Sequence, residues 1–98
     1  MGLPERLPEL QLNSAGIYAL ELKKPAFAVW VFRKNVALYP ESANTYDSLG
    51  DALLASGDTT AAMAQYRRAV DLATRTGHWV LPESRRKLNA LEAAKHKR

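Results

Sequence analysis

The chain contains a run of seven consecutive apolar residues, AFAVWVF, at positions 26–32. A strand uses such a run when both of its faces are buried, and a helix when it is packed on nearly every side. Pro25 comes directly before the run and is a favoured first residue of a helix. We therefore predict a helix from Pro25 to about Leu38.

Residues 43–74 carry apolar and small residues at helical spacing in two stretches, separated by Gly57 and Asp58. Gly57 tolerates a left-handed backbone and is expected to end the first helix, and Thr59 or Thr60 is expected to cap the second. The first stripe holds Tyr46, Leu49, Gly50 and Leu53, and the second holds Ala62, Tyr66, Ala69 and Val70. We expect the glycine of the first stripe and the first alanine of the second to mark the closest approach of the two helices.

The chain also repeats itself when it is laid on itself with Ser14 placed on Ser48. Small, large and aromatic positions come into register together at this offset. The other matches are Gly16 with Gly50, Leu20 with Leu54, Ala28 with Ala62, Phe32 with Tyr66, Arg33 with Arg67, Lys34 with Arg68, Val36 with Val70 and Leu38 with Leu72. This period predicts a repeated helix–turn–helix unit.

With this period and these residues, the chain resembles a tetratricopeptide repeat (TPR) protein. The second copy matches the pattern W-x2-L-G-x2-Y, then A-x3-F-x2-A, at Tyr46, Leu49, Gly50, Leu53, Ala62, Tyr66 and Ala69. The first copy matches it more loosely, at Leu12, Ala15, Gly16, Ala19, Ala28, Phe32 and Asn35. The resemblance implies an all-α fold with two repeats, at residues 9–42 and 43–76, which form a fragment of a right-handed α-solenoid after an N-terminal extension at residues 1–8. Two unrelated helical hairpins in an ordinary bundle are the alternative.

Residues 77–98 depart from the period. Gly77 is expected to end the preceding helix, and Pro82 is expected to begin another. The apolar or small stripe of this last helix consists of Ser84, Leu88 and Leu91, and charged residues surround it. We predict a turn, then a polar-faced capping helix at residues 82–95, of the kind that stacked repeats require, and then a basic tail.

In the repeat register, the helix that contains the apolar run buries one face. That face holds Ala28, Phe32 and Asn35, with Val29 and Val36 on one flank and Phe27, Val31 and Leu38 on the other. Trp30 is predicted to lie on the opposite face, among Arg33 and Lys34. Because two repeats are fewer than the roughly three that a self-sufficient stack needs, we predict that these three residues contact a second copy of the chain or a partner domain. In the alternative, the stems of Arg33 and Lys34, together with Leu3 and Leu7, cover the tryptophan ring.

The net charge of +4 lies entirely in the last segment. Residues 82–98 carry six basic and two acidic side chains, whereas residues 1–81 carry eight of each. A basic end on a neutral body, without an aromatic stacking platform, argues against nucleic-acid binding. The sequence has no cysteine, no signal-peptide pattern and no apolar run near the roughly 20 residues that a membrane span needs. We therefore expect neither a nucleic-acid nor a membrane partner, and a cytoplasmic location is favoured.

Candidate catalytic residues are few. His78 and His96 have no second histidine or carboxylate at ligand spacing. The segment from Ser84 to Lys87 matches S-x-x-K, the acylating motif of serine penicillin-binding enzymes, but its partner motifs S-D-N and K-T-G do not occur. Three adjacent basic residues fit a solvated helix face better. We predict no catalytic residue, no metal and no cofactor.

TPR modules bind extended peptides in the groove lined by their first helices, and the resemblance carries this groove to the present chain. The candidate positions are Asn13, Ile17, Leu20 and Glu21 in the first repeat, and Asn44, Asp47, Asp51 and Leu54 in the second. Chaperone-binding members clamp a C-terminal carboxylate with a lysine and an asparagine, but the corresponding positions here hold Asn13 and Ile17, so the clamp is absent. The remaining mixture suits a basic or amphipathic segment, and an empty, solvated groove is the equal alternative. Asp47 and Asp51 are expected to form a solvated acidic face rather than a cation site.

These features together predict a non-catalytic module that binds a polypeptide segment or a partner domain. An alternative rests on the segment from Phe32 to Leu72, which resembles the short TPR-like tails that follow bacterial serine-hydrolase domains. Those hydrolases resemble β-lactamase relatives or α/β-hydrolases. The chain would then be an accessory domain, and the catalytic domain would be outside it.

Overall fold

A computed structural model describes residues 7–96, with backbone only at residues 7 and 96, and this part of the chain is all-helical. Its helices are α1 (Leu7–Glu21), α2 (Pro25–Leu38), α3 (Ala43–Ala55), α4 (Thr59–Thr76) and α5 (Leu81–His96). Each helix packs on the next along the chain, and α1 also packs on α3. The predicted all-α class is confirmed, and so are the predicted bounds of α2.

Two glycines let the helices within each pair approach closely. A Cβ atom placed on Gly16 of α1 would lie 2.3 Å from two atoms of the Phe32 ring on α2. A Cβ atom on Gly50 of α3 would lie 2.5 Å from the Tyr66 ring on α4. In both contacts the aromatic residue follows the glycine at the same distance in the sequence, and the second contact lies one repeat after the first. Ala62, which the sequence predicted to lie at the closest approach together with Gly50, is fully buried. The atoms nearest to an added Cβ on Gly50 belong to the Tyr66 ring.

The turns that follow α1 and α3 have the same backbone conformation. Gly57 adopts a left-handed φ of 89°, and Lys23, one repeat earlier, adopts a φ of 62°. In each turn the next residue donates its N–H five residues back, from Asp58 to Leu53 at 2.9 Å and from Lys24 to Ala19 at 2.9 Å. This pattern satisfies carbonyl groups that the end of a helix leaves without a partner.

The helix starts and the last helix differ in detail from the predictions. The cap of α4 is Asp58, whose side chain accepts a hydrogen bond from the Ala61 N–H, and the predicted caps Thr59 and Thr60 lie inside the helix. Gly77 ends α4 with a φ of 70°, as predicted. The helix α5 begins one residue before Pro82.

The main core cluster lies between the helix pairs and extends to α5. Its buried members are Ala19, Ala28, Phe32, Leu49, Ala52, Leu53, Ala62, Met63, Tyr66 and Leu88. The predicted core face of α2 is confirmed, because Ala28, Phe32 and Asn35 are all buried. Of the three residues predicted on one flank of this face, Val31 is buried, whereas Phe27 and Leu38 are exposed. The apolar run is longer than the helix face that its neighbours cover, so Phe27 remains in contact with solvent.

Polar contacts hold the start of α1 to α2 and to the connection between the two helix pairs. Glu9 is buried, and its carboxylate accepts a hydrogen bond of 2.5 Å from the Ser42 hydroxyl. The Asn35 side chain donates to the Glu9 carbonyl oxygen at 3.0 Å. The Asn35 contact therefore holds the start of α1 to α2, and the Ser42 contact holds it to the segment that precedes α3.

Candidate functional site

The helix α5 places a lysine and a serine against the two carboxylates of α3. Lys87 Nζ donates to Asp47 Oδ2 at 2.9 Å and to Asp51 Oδ2 at 3.1 Å. The Ser84 hydroxyl donates to Asp47 Oδ1 at 2.6 Å, and the Tyr66 hydroxyl of α4 donates to Asp51 Oδ1 at 2.6 Å. We call these five residues the Lys87 cluster. The cluster joins three helices through side chains that are far apart in the sequence.

Burial and charge set the protonation of this cluster. Burial by itself lowers the pKa of Lys87, but the hydrogen bonds and charges of Asp47 and Asp51 outweigh it and raise the pKa above its usual value. Burial raises the pKa of Asp51, and the charge of Asp47 adds to this effect. Burial and the hydrogen bond to Asp51 raise the pKa of Tyr66. The lysine and the tyrosine therefore both keep their protons, as hydrogen-bond donors must.

The expectation of a solvated acidic face is wrong at Asp47. This residue is only 5% exposed, and both of its carboxylate oxygens accept hydrogen bonds from α5. The interpretation of Arg85, Arg86 and Lys87 as a solvated basic face is wrong at Lys87, whose side chain is mostly covered. Ser84, which the sequence placed in the stripe of this helix, is fully buried. The reason is that α5 lies beside α3, and the sequence period did not place these two helices together.

The other predicted groove residues are divided between internal contacts and solvent. Asn13 accepts a hydrogen bond of 2.6 Å from the Ser48 hydroxyl. Leu20 packs against the core, and Asn44 is partly buried. The residues that remain exposed are Ile17, Glu21 and Leu54. The acidic centre of the predicted groove is therefore engaged by the chain itself, and a few separate side chains remain accessible around it.

A second surface is apolar and lies at the opposite end of the described chain. Tyr18 on α1, Leu22 in the turn that follows it, and Phe27 and Trp30 on α2 are between 48% and 62% exposed, and we call these four residues the end face. The turn with the left-handed Lys23 brings the end of α1 beside the start of α2. A hollow of about 460 Å³ is lined by Ala15, Tyr18, Ala19, Leu22, Lys24 and Phe27. The end face is thus a continuous apolar surface with a recess in it.

Trp30 lies on the outer side of α2, as the sequence predicted. It forms the edge of the end face. Its ring stacks on Phe27 with centroids 5.7 Å apart and an angle of 18° between the planes. Lys34 Nζ lies 5.0 Å from the ring centroid, while Arg33 is exposed and makes no ring contact with Trp30. More than half of the tryptophan, 55%, is exposed. The two leucines predicted to cover the ring, at positions 3 and 7, lie outside the described side chains.

The residues around the end face are mainly basic. Lys23 and Lys24 lie in the turn, and Arg33 and Lys34 follow Trp30 along α2. Glu21 is the single acidic residue between positions 17 and 38, against four basic ones, so this stretch carries a net charge of +3. Within residues 7–96, none of the ion pairs involves these four basic side chains.

Sequence reasoning identified Trp30 and missed its neighbours. Tyr18 and Leu22 are one helical turn apart, and Phe27 and Trp30 are three residues apart, so both pairs follow helical spacing. The repeat pattern indicated other positions, and it did not predict that the four residues of the end face form one surface. Their spacing was a usable signal. Their proximity also depends on the turn between α1 and α2, which the period alone does not define.

Comparison with known proteins gives no assignment. A scan against models of protein families finds no match for the chain, and a search of curated proteins finds none either. Within residues 7–96, no helix has the length and apolar character needed to cross a membrane. No group of three or more potential metal ligands occurs in the same part of the chain.

Proposed function

We propose that the chain is a TPR-like helical-repeat module that binds a segment or domain of another polypeptide and has no catalytic role of its own. The observation that carries this proposal is the end face, an apolar and aromatic surface exposed to solvent on a small chain. Exposed apolar surfaces rimmed by polar residues are typical of sites for protein interaction. Aromatic residues such as Trp30 and Tyr18 commonly supply most of the binding free energy at such sites.

Two equivalent sets of contacts support the TPR-like part of the proposal. The contact between Gly16 and Phe32 recurs one repeat later between Gly50 and Tyr66. The left-handed turn after α1 recurs after α3 at the same offset. An ordinary bundle of unrelated hairpins has no reason to repeat both features at one common offset.

The state of the predicted groove favours the end face as the binding surface. A basic peptide in the groove would have to displace Lys87 from Asp47, where the ammonium group is already paired at 2.9 Å. Breaking a largely buried ion pair is costly, and the peptide would have to replace the Ser84 hydrogen bond as well. The end face requires no such displacement.

The chemistry of the Lys87 cluster supports a non-catalytic role. In an S-x-x-K enzyme the lysine or another base takes a proton from the serine hydroxyl. Here the Ser84 hydroxyl donates to Asp47, and the raised pKa of Lys87 keeps that side chain protonated. A protonated lysine does not accept a proton, so the arrangement suits the docking of α5 rather than acyl transfer. In the hydrolase-tail alternative, the end face would contact a domain of the same polypeptide.

A selection experiment tests the proposed surface. A displayed library of random peptides, long enough to form several helical turns, is selected against the folded chain, and the peptides recovered are measured by fluorescence anisotropy against single variants. We expect Phe27→Ser and Trp30→Ser each to weaken binding by about tenfold or more, as loss of an interface anchor does. The matched control is Trp79→Ser, which removes the other tryptophan, 70% exposed and outside the end face.

Peptides that bind equally well to Trp30→Ser and to the wild-type chain would show that the end face is not the binding surface. If their binding were lost instead in Leu54→Ser, the remaining exposed part of the predicted groove would be the site. Circular dichroism of each variant checks that the helices are intact.

A further inference from the structure

The first helices of the two pairs, α1 and α3, have different neighbours. The helix α3 packs on α1, α2 and α4, whereas α1 packs on α2 and α3. Three buried residues of α3, at positions 45, 49 and 52, correspond at the repeat offset to exposed residues of α1. These pairs are Thr45 with Gln11, Leu49 with Ala15, and Ala52 with Tyr18. In the described chain, no helix covers these residues of α1, whereas their counterparts on α3 are buried.

We infer that the end face binds one amphipathic helix of a partner protein, and that aspartate or glutamate residues flank the apolar side of this helix. The inference rests on the proposed function and adds the form and charge of the partner. The form follows from the chain itself at Tyr18, because the corresponding residue Ala52 is fully buried on a helix that packs against α2. Helices pack with side chains of one in the spaces between those of the other, and the recess between Tyr18 and Phe27 offers such a space.

The charge of the partner follows from the surroundings of the end face. Lys24 lines the recess, and Lys34 lies over the Trp30 ring. Basic groups therefore lie both at the recess and at Trp30, and within residues 7–96 no carboxylate forms an ion pair with them. Complementary charges increase the association rate and select the partner, while like charges at an interface are unfavourable.

The same argument disfavours a second copy of this chain. In a twofold-symmetric dimer each end face meets an identical one, so the lysines of both copies share one interface. The stretch from position 17 to 38 carries +3, and pairing two copies would bring two such positive stretches together. A partner helix with acidic flanks is attracted by the basic side chains that would repel one another in such a dimer.

The experiment uses a displayed library of helical peptides with leucine on one side and randomised flanking positions. We expect selection against the wild-type chain to enrich aspartate and glutamate at the flanks. A selected peptide should bind the double variant Lys24→Glu with Lys34→Glu about tenfold or more weakly, and binding should weaken with added salt. The matched control is Arg85→Glu with Lys95→Glu, which makes the same charge change on exposed residues of α5.

Three results would overturn the inference. Enrichment of basic or uncharged flanks, in peptides that still need Phe27 and Trp30, would refute the acidic partner and leave the proposed function intact. A wild-type dimer in sedimentation that is lost in Trp30→Ala would identify the occupant as a second copy. Peptide binding that is seen only after removal of residues 1–6 would identify the occupant as a segment of this chain. Peptides whose affinity is the same for the wild-type chain and for the end-face variants would instead count against the proposed function itself.

Discussion

The Tyr66 ring occupies the space that a side chain at Gly50 would need, with its Cε1 atom 2.5 Å from the position of an added Cβ. The ring is almost completely buried, and its hydroxyl is held by Asp51, so it has little freedom to move away. The contact therefore requires glycine for space. It does not require glycine for an unusual backbone, because Gly50 lies inside α3.

We expect Gly50→Ala to destabilise the fold by about 1–3 kcal/mol through overpacking, although alanine favours a helix over glycine by about 1 kcal/mol. Urea unfolding would measure the change. Gly16→Ala should have a similar effect, because its added Cβ would meet Phe32 in the same way. An unchanged or higher stability of both variants would show that the helices have room to separate.

The turn after α1 offers a stabilising substitution. Lys23 has a left-handed φ of 62°, which costs a non-glycine residue about 1–2 kcal/mol. Glycine avoids this cost but loses more entropy on folding, so we expect Lys23→Gly to stabilise the fold by about 0.5–1 kcal/mol. Thermal unfolding would detect this as a higher Tm.

The neighbouring Lys24→Gly is the matched control, because Lys24 has a φ of −119° and gains nothing from glycine. The converse change, Gly57→Ala, should destabilise the fold by about 1 kcal/mol, since it places a side chain in the equivalent left-handed turn. A lower Tm for Lys23→Gly would mean that the lysine side chain contributes more than its backbone costs.

The Lys87 cluster predicts a specific loss of stability in alkaline solution. The pKa of Lys87 is higher in the folded chain than its ordinary value of 10.5, so the folded state binds this proton more tightly. The stabilisation is fully present below the unfolded-state pKa and is lost as the pH rises through the folded-state pKa. We expect the Tm of the wild type to fall more steeply above pH 10.5 than that of Lys87→Met.

The control for this experiment is Lys34→Met, which removes an exposed lysine and should keep the steep alkaline fall of the wild type. Equal slopes for the wild type and Lys87→Met would contradict the tight binding of the Lys87 proton. Both lysine variants have the same net charge, so a difference between them reflects the location of the lysine.

The two carboxylates of the cluster should differ in their contribution. The raised pKa of Asp51 stabilises the fold below the ordinary value of 3.8, and this contribution is lost as the pH rises through the folded-state pKa. At neutral pH, Asp51→Asn removes a carboxylate that burial disfavours and keeps an oxygen for the Tyr66 hydroxyl, so we expect a cost below about 1 kcal/mol. Asp47→Asn should cost about 2–3 kcal/mol, because it weakens the more buried contact of Lys87. Urea unfolding at pH 7 would rank the two variants, and the reverse order would refute this assignment.

The helices could be predicted from the sequence because local signals mark them. Pro25 defines the start of α2, Gly57 and Gly77 define two helix ends, and the apolar spacing defines the buried faces. Ser84 and Leu88 were assigned to the buried stripe of the last helix, and both are buried. These features depend on residues within one or two helical turns of one another.

The parts that the sequence did not predict depend on distant residues. Lys87 and Asp47 are 40 positions apart, and neither the period nor the composition relates them. A lysine between two arginines and a leucine is typical of a solvated surface, and only the position of α5 makes this one a partner for α3. Phe27 was placed on a flank of the buried face of α2 from its helical angle, but its exposure depends on whether another helix covers that flank.

The two ends of the described chain differ in the kind of surface they present. The end face is apolar, whereas the exposed side of α5 carries mostly charged and small residues, among them Arg85, Arg86, Asn89 and Lys95. A helical chain with one apolar end and one polar end has a direction. It is suited to accept one neighbour and to offer no matching surface for the next. Such a chain would terminate a linear assembly at a fixed length rather than extend it into a filament.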